Sequence, residues 1–123
     1  MGRRTARGAG QAAHPVKRGT VVWVNLEDAH SPELGKTRPA VVVSNTEHNA
    51  SLPSVVVVPL SSRAPAIWPL RLPIPPIGKL TRSFAVTPGV RQVAQTRVLR
   101  SEGLLPTHVV NALSEALEGY LRD

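Results

Sequence analysis

An arginine, a serine and a glutamate stand at the ends of two valine runs, and these are the residues of the chain best suited to chemistry. Residues 33–45 read E-L-G-K-T-R-P-A-V-V-V-S-N, an eight-residue polar break follows, and residues 54–62 read S-V-V-V-V-P-L-S-S. If the two runs close symmetrically as a hairpin, Asn45 faces Ser54 and residues pair wherever their numbers sum to 99. Arg38 then lies opposite Ser61 on one face, with Glu33 just upstream. Opposed residues of an antiparallel ladder hold their Cβ atoms roughly 4.5–5.5 Å apart. A guanidinium grips phosphate oxygens through a planar fork and stays charged at physiological pH. A serine adds a hydrogen bond, and a carboxylate can take a proton.

Those three roles match RNA strand cleavage by internal attack. The 2′-hydroxyl must lose a proton, the crowded phosphorane must be stabilised, and the leaving 5′-oxygen must gain a proton. The nucleophile comes with the substrate, so the scheme needs no metal, no cofactor and no covalent enzyme intermediate. An arginine is almost never deprotonated at neutral pH. Arg38 is therefore assigned to phosphate stabilisation and Glu33 to the base. The same residues have plainer readings: Arg-Pro as a strand boundary, Ser61-Ser62 as a turn, Glu33 as a solvated loop residue. His14, His30, His48 and His108 show no metal-ligand spacing.

The elements that must position this set are short. Strands are expected over residues 20–26, 40–45 and 54–60, a short edge strand over 68–72, and further strands over 83–87 and 90–94. Prolines 65, 69, 73, 75 and 76 exclude a central strand or a helix from 63–79. Pro88-Gly89 signals a turn and Glu102-Gly103 a break. Pro106 suits the first position of a helix, whose apolar face would carry Val110, Leu113, Ala116, Leu117, Tyr120 and Leu121. The fold class is thus mainly β, a small bent barrel with a C-terminal α-helix. Residues 1–15 read as a disordered basic arm and 16–123 as one domain.

Charge narrows the partners. The chain carries +7 net charge. Between Lys36 and Arg100 the only acid is Glu47, which suits a polyanion or an acidic peptide. With no cysteine there is no disulfide or thiolate site. No apolar run is long enough to span a membrane, so a cytoplasmic protein is expected. Both faces of the valine strands are apolar. A small barrel has one interior, so a homodimer is expected to cover the second face.

Four segments, K-R-G-T-V-V-W-V-N-L at 17–26, the 33–45 run, V-V-V-V-P-L-S-S at 55–62 and V-R-Q-V-A-Q-T-R-V-L at 90–99, resemble the MazF/PemK (Kid) toxin family in order and spacing. The resemblance implies an SH3-like barrel of the CcdB/PemK type and a homodimer. It implies a type II toxin–antitoxin endoribonuclease that cuts single-stranded RNA at short sequences. It also implies a cognate antitoxin whose acidic C-terminal tail fills the RNA groove. Arg38 matches the family's catalytic arginine, Ser61 stands where a threonine is usual, and Glu33 matches the loop acid. Lys36, Ser62, Arg63 and Arg91 are the candidates for holding RNA. Pro88-Gly89 replaces the family's usual acidic-Gln pair, and 27–37 lacks its G-S-E-Q run. The alternative for the same barrel is a non-catalytic poison or binding module acting on a protein, as in the CcdB branch.

Overall fold

Strand β1 (Thr20–Leu26) alternates its valines between two different cores, and that alternation organises the molecule. The computed structural model describes residues 16–26, 36–63 and 65–123. The expected arm at 1–15 lies outside them. After β1 come β2 (Lys36–Val42), a short helix α1 (Thr46–Ser51), β3 (Ser54–Ser61), β4 (Arg71–Ile74) and β5 (Ser83–Val86). A 3₁₀ turn at Thr87–Gly89 leads to β6 (Arg91–Ala94), and another at Gln95–Arg97 to β7 (Val98–Leu104). Helix α2 (Thr107–Leu121) closes the chain. The strands form one antiparallel sheet in the order β4-β5-β3-β2-β1-β7, with β6 also on β3.

Strand β3 holds this sheet together because three partners share its two edges. Ala40↔Pro59, Val41↔Val58 and Val42↔Val57 pair it with β2, the register expected from the sequence. On its other edge Ser54–Val57 pair with β6, and Leu60 and Ser61 with β5. The N–H of Val43 donates to the carbonyl of Val56 (2.9 Å), so the even-numbered residues of β3 hydrogen-bond toward β2. Pro59 therefore turns its missing donor toward the other edge, where the 3₁₀ turn interrupts the ladder. A proline is tolerated only at such a place. A Cβ on Gly89 would lie 2.6 Å from the Pro59 ring, so the chain needs glycine where it passes there.

The two faces close in different ways. Val22, Val24, Leu26, Ala40, Val42, Val55, Val57 and Val93 form one core inside the curl of β1, β2, β3 and β6. The ring is completed by the chain, which runs from β6 through the 3₁₀ turn to β7 on the free edge of β1. It is an open SH3-like barrel rather than one closed by ladders. On the opposite face Val21, Val41, Val58 and Leu60 pack with β4, β5 and α2, around Val109, Val110, Leu113 and Ala116. Leu113 is fully buried, and truncating it to alanine is expected to cost about 2–5 kcal/mol.

Several sequence expectations are corrected. The valine faces of β2 and β3 are covered within one chain, so they supply no dimer surface. The exposed large apolar residues among those described lie elsewhere, at Leu52, at Ile67, Trp68 and Leu70, at Leu99 and Leu104 of β7, and at Tyr120 and Leu121 on the last turn of α2. The apolar stripe of α2 is thus buried only as far as Ala116. The polar break holds helix α1, capped by Asn45, whose Oδ1 accepts from the N–H of His48 (2.7 Å). The edge strand falls at Arg71–Ile74 instead of 68–72. Pro106 caps α2 from just outside, its carbonyl accepting from Val109 and Val110. Glu102-Gly103 is no break but lies within β7. Against β1 the register steps from Gly103↔Val21 to Ser101↔Val22 and from Arg100↔Trp23 to Val98↔Val24. Glu102 and Leu99 are therefore the extra residues of two β-bulges, which bend the strand around the barrel.

Candidate active site

The ends of β1, β2 and β3 meet at one mouth of the barrel, where Lys36, Arg38, Ser61, Ser62 and Arg63 stand. Arg38 pairs with Val24 of β1, a fully buried residue of the barrel core, so its side chain takes the barrel-core face. Two residues beyond the last β2–β3 pair, the observed register sets Arg38 opposite Ser61, on that same face. The ladder stops short because Pro39 has no N–H to continue it. Both side chains are half-buried. Leu26↔Lys36 closes the strand pair, and the segment containing Glu33 leaves and re-enters at that pair. Glu33 itself lies outside the described residues.

Lys36 is exposed and carries φ of 64°, a left-handed backbone that costs a non-glycine residue about 1–2 kcal/mol. Such strain concentrates at functional sites. Past the strand, Ser62 and Arg63 are exposed. The N–H of Arg63 donates to Ser61 Oγ (3.1 Å), which uses one lone pair and leaves the hydroxyl proton for an incoming oxygen. The Arg71 guanidinium donates to the Arg63 carbonyl over 3.4 Å, bracing this turn from β4.

Arg91 is not alongside Ser61. It opens β6 opposite Val57, four residues further up β3, which is about 13 Å of strand. It lines an open cleft of about 410 Å³ with Pro53, Ser54, Gln92, Val93 and Arg97. Arg97, not singled out in the sequence, sends its guanidinium to the carbonyl of Asn25 near the mouth (3.2 Å).

Two further residues were missed. Phe84 pairs directly with Ser61 across the β3–β5 ladder, and Arg82 sits over its ring at 5.6 Å from the centroid. The signal was faint, a lone phenylalanine two residues after an arginine. Its meaning depends on β5 lying beside the end of β3.

Among the described residues the surroundings are electropositive. The described acids Glu47, Glu102, Glu115, Glu118 and Asp123 stand on α1, on β7 and at α2 and its end. Lys36, Arg38, Arg63, Arg71, Arg82, Arg91 and Arg97 lie on or beside β2 to β6. Among the described residues no three of His, Asp and Glu gather as a metal-binding group, and no helix is long and apolar enough to cross a membrane. The arrangement can bind a phosphodiester at Arg38 and Ser61 and extend its grip along a cationic surface.

Comparison with known proteins agrees with this fold. Endoribonuclease MazF9 of Mycobacterium tuberculosis (strain ATCC 25618 / H37Rv) is 31% identical over 113 residues, covering 86% of this chain and 96% of that protein. The crystal structure of MazF (Form-I) from Deinococcus radiodurans shares the fold with a TM-score of 0.77 at 22% identity, over 88% of this chain and 97% of that one. An endoribonuclease in complex with its cognate antitoxin from Mycobacterial species gives a TM-score of 0.72 at 22% identity, over 86% and 94%. Residues 17–121 match the family of PemK-like, MazF-like toxins of type II toxin–antitoxin systems, and the chain belongs to that family.

Proposed function

We propose that the protein is an endoribonuclease toxin that cuts single-stranded RNA, mRNA above all, and so arrests translation and growth. The observation that carries this reading is the register of β2 against β3, which puts Arg38 across from Ser61 on one face at the barrel mouth. The family and the ribonuclease relative support it. The 2′-oxygen attacks the adjacent phosphorus and gives its proton to a base, for which Glu33 is our candidate. The Arg38 fork and the Ser61 hydroxyl donate to the phosphorane oxygens, where charge accumulates; this is usually the largest catalytic contribution. The bond from phosphorus to the 5′-oxygen then breaks, and that oxygen takes up a proton. The products are a 2′,3′-cyclic phosphate and a 5′-hydroxyl, and DNA is inert. Lys36, Ser62, Arg63 and Arg91 hold the flanking strand.

The working form in this reading is a cytoplasmic homodimer, for which exposed apolar residues such as Trp68, Tyr120 and Leu121 provide surface. Its inhibitor is a cognate antitoxin. The D. radiodurans MazF has been solved together with MazE, and an acidic C-terminal tail fits the basic surface here. The test is to incubate the purified protein with mixed RNA in EDTA and map the ends. Cyclic phosphates and 5′-hydroxyls are expected. Products bearing 5′-phosphates, or activity lost in EDTA and restored by magnesium, would reject the mechanism. A folded protein that leaves all RNA intact would favour the binding-module alternative.

A further inference from the structure

We propose that Arg82, held by Phe84, is a stacking subsite for an unpaired nucleobase next to the cleaved phosphate. The inference rests on the ribonuclease reading and adds to it a residue pair that contacts the base rather than the backbone.

Phe84 and Ser61 are a direct cross-strand pair, so their side chains share a face. Arg38 occupies the same face one strand further on. Neighbouring strands lie about 4.8 Å apart, so Arg38, Ser61 and Phe84 form a row across β2, β3 and β5 about 10 Å long.

Phe84 is 7% exposed, yet it belongs to neither apolar core, whereas its neighbour Ala85 lies in the helix-side core. Its visible neighbours on this face are different. Pro73, exposed, pairs with it from β4. Arg82, also exposed, sits two residues along on the same side, with its guanidinium over the ring. A guanidinium is planar and has two faces. With its Cζ 5.6 Å from the centroid of Phe84, the cross-strand partner of Ser61, and the residue exposed, Arg82 has guanidinium surface open to a base. Single-stranded RNA is recognised by stacking its splayed bases on aromatic rings or on arginine planes. Phe84 is the positioning residue, and Arg82 makes the contact. Two of the other arginines near the row differ. Arg38 stands beside the aliphatic Val24, and Arg71 is turned to a backbone carbonyl.

The test uses RNA oligonucleotides spanning a mapped cleavage site. A 2′-deoxy sugar at the attacking position blocks cleavage, and single abasic residues are placed at each flanking position. Affinities of the full-length wild type, Arg82→Lys and Arg82→Ala are read by fluorescence anisotropy at one fixed salt concentration. Base stacking of this kind is worth about fivefold to a hundredfold in affinity. Arg82→Lys keeps the charge and loses the plane, so it should lose that factor on the intact oligonucleotide. It should lose nothing on the oligonucleotide abasic at one particular position, where wild type has already lost as much. Phe84→Leu, with its folding checked by melting, should show the same loss confined to the same position. Arg82→Lys binding every oligonucleotide as wild type does would overturn the proposal. So would a loss in Arg82→Lys that is equal at every abasic position, which is a lost backbone contact and not a stacked base. A wild type that binds no RNA would remove the ribonuclease reading and this subsite together. A wild type that cleaves normally without that positional coupling removes the subsite alone.

Discussion

The two ends of β3 are held in different ways. At the Ser54 end, neutral amides and hydroxyls tie neighbouring segments to one another. Asn49, 3% exposed, donates to the carbonyls of Val16 and Ser44 at 2.7 and 3.1 Å. Gln95 donates to the carbonyls of Asn49 and Leu52 at 2.7 and 2.9 Å, and Gln92 to Ser54 Oγ at 2.8 Å. The Ser44 hydroxyl accepts from the N–H of Val56. At the Ser61 end stand Arg38, Arg63, Arg71 and Arg82, charged side chains among the described residues there. The contrast teaches that one end is tied together by side-chain hydrogen bonds to backbone carbonyls, while the other presents guanidinium groups around the site proposed for the phosphate.

Variants can break that comparison, and the largest effect belongs to the cationic end. Arg38→Ala should lower single-turnover cleavage by about 10²–10³-fold, the usual cost of one transition-state donor. Its melting temperature should stay at that of wild type. Arg38→Lys should recover little, since the bidentate fork is gone. A folded Arg38→Ala with full activity would leave the comparison without its functional half.

Asn49→Ala probes the other end. It strips partners from buried carbonyls and should cost about 1–3 kcal/mol in denaturant unfolding, with cleavage per folded molecule unchanged. Lost activity at unchanged stability would mean that the two ends are not separate.

Ser61→Ala should lose less activity than Arg38→Ala, because it removes one neutral donor. Ser61→Thr keeps the hydroxyl with a stiffer χ1 and should match or exceed wild type. Parallel rate measurements on the three variants decide the ranking.

The smallest effect lies away from both ends. Glu102 accepts from the N–H of Lys79 (3.0 Å) and from Trp23 Nε1 (2.9 Å), while Arg100 stacks on the Trp23 ring. The hydrogen bond from Lys79, then that from Trp23, hold its carboxyl below the usual carboxylate range. A lowered carboxyl adds stability above its unfolded pKa and loses it as pH falls through the folded one. The stability difference between wild type and Glu102→Gln should therefore be present at neutral pH and shrink in acid. A pH-independent difference in unfolding titrations would refute the assignment.

Much of this was legible in the sequence, for identifiable reasons. The β2–β3 register follows from two valine runs flanked by polar residues, since a slip by one would turn apolar faces outward. β1 matches its expected bounds for the same reason. α1 was read as a loop because residues 46–51 have no apolar periodicity, although Asn45 followed by Thr46 and Glu47 is a capping signal. β7 was hidden by its own bulges, which erase the alternation that marks a strand. The valine faces misdirected the argument for a dimer, because composition cannot reveal that one chain supplies two covers. Of the site, Arg38, Ser61 and their face were recoverable from spacing. Phe84 and Arg82 were not, since nothing local says which strand lies beside Ser61.

The bulges at Leu99 and Glu102 have one more effect. β7 is the outermost strand next to β1, where an even row of unpaired N–H and C=O groups would invite another chain to add itself as a further strand. Two inserted residues within seven break that row and twist the edge out of line. The molecule is thereby guarded against open-ended stacking into fibrils on this side.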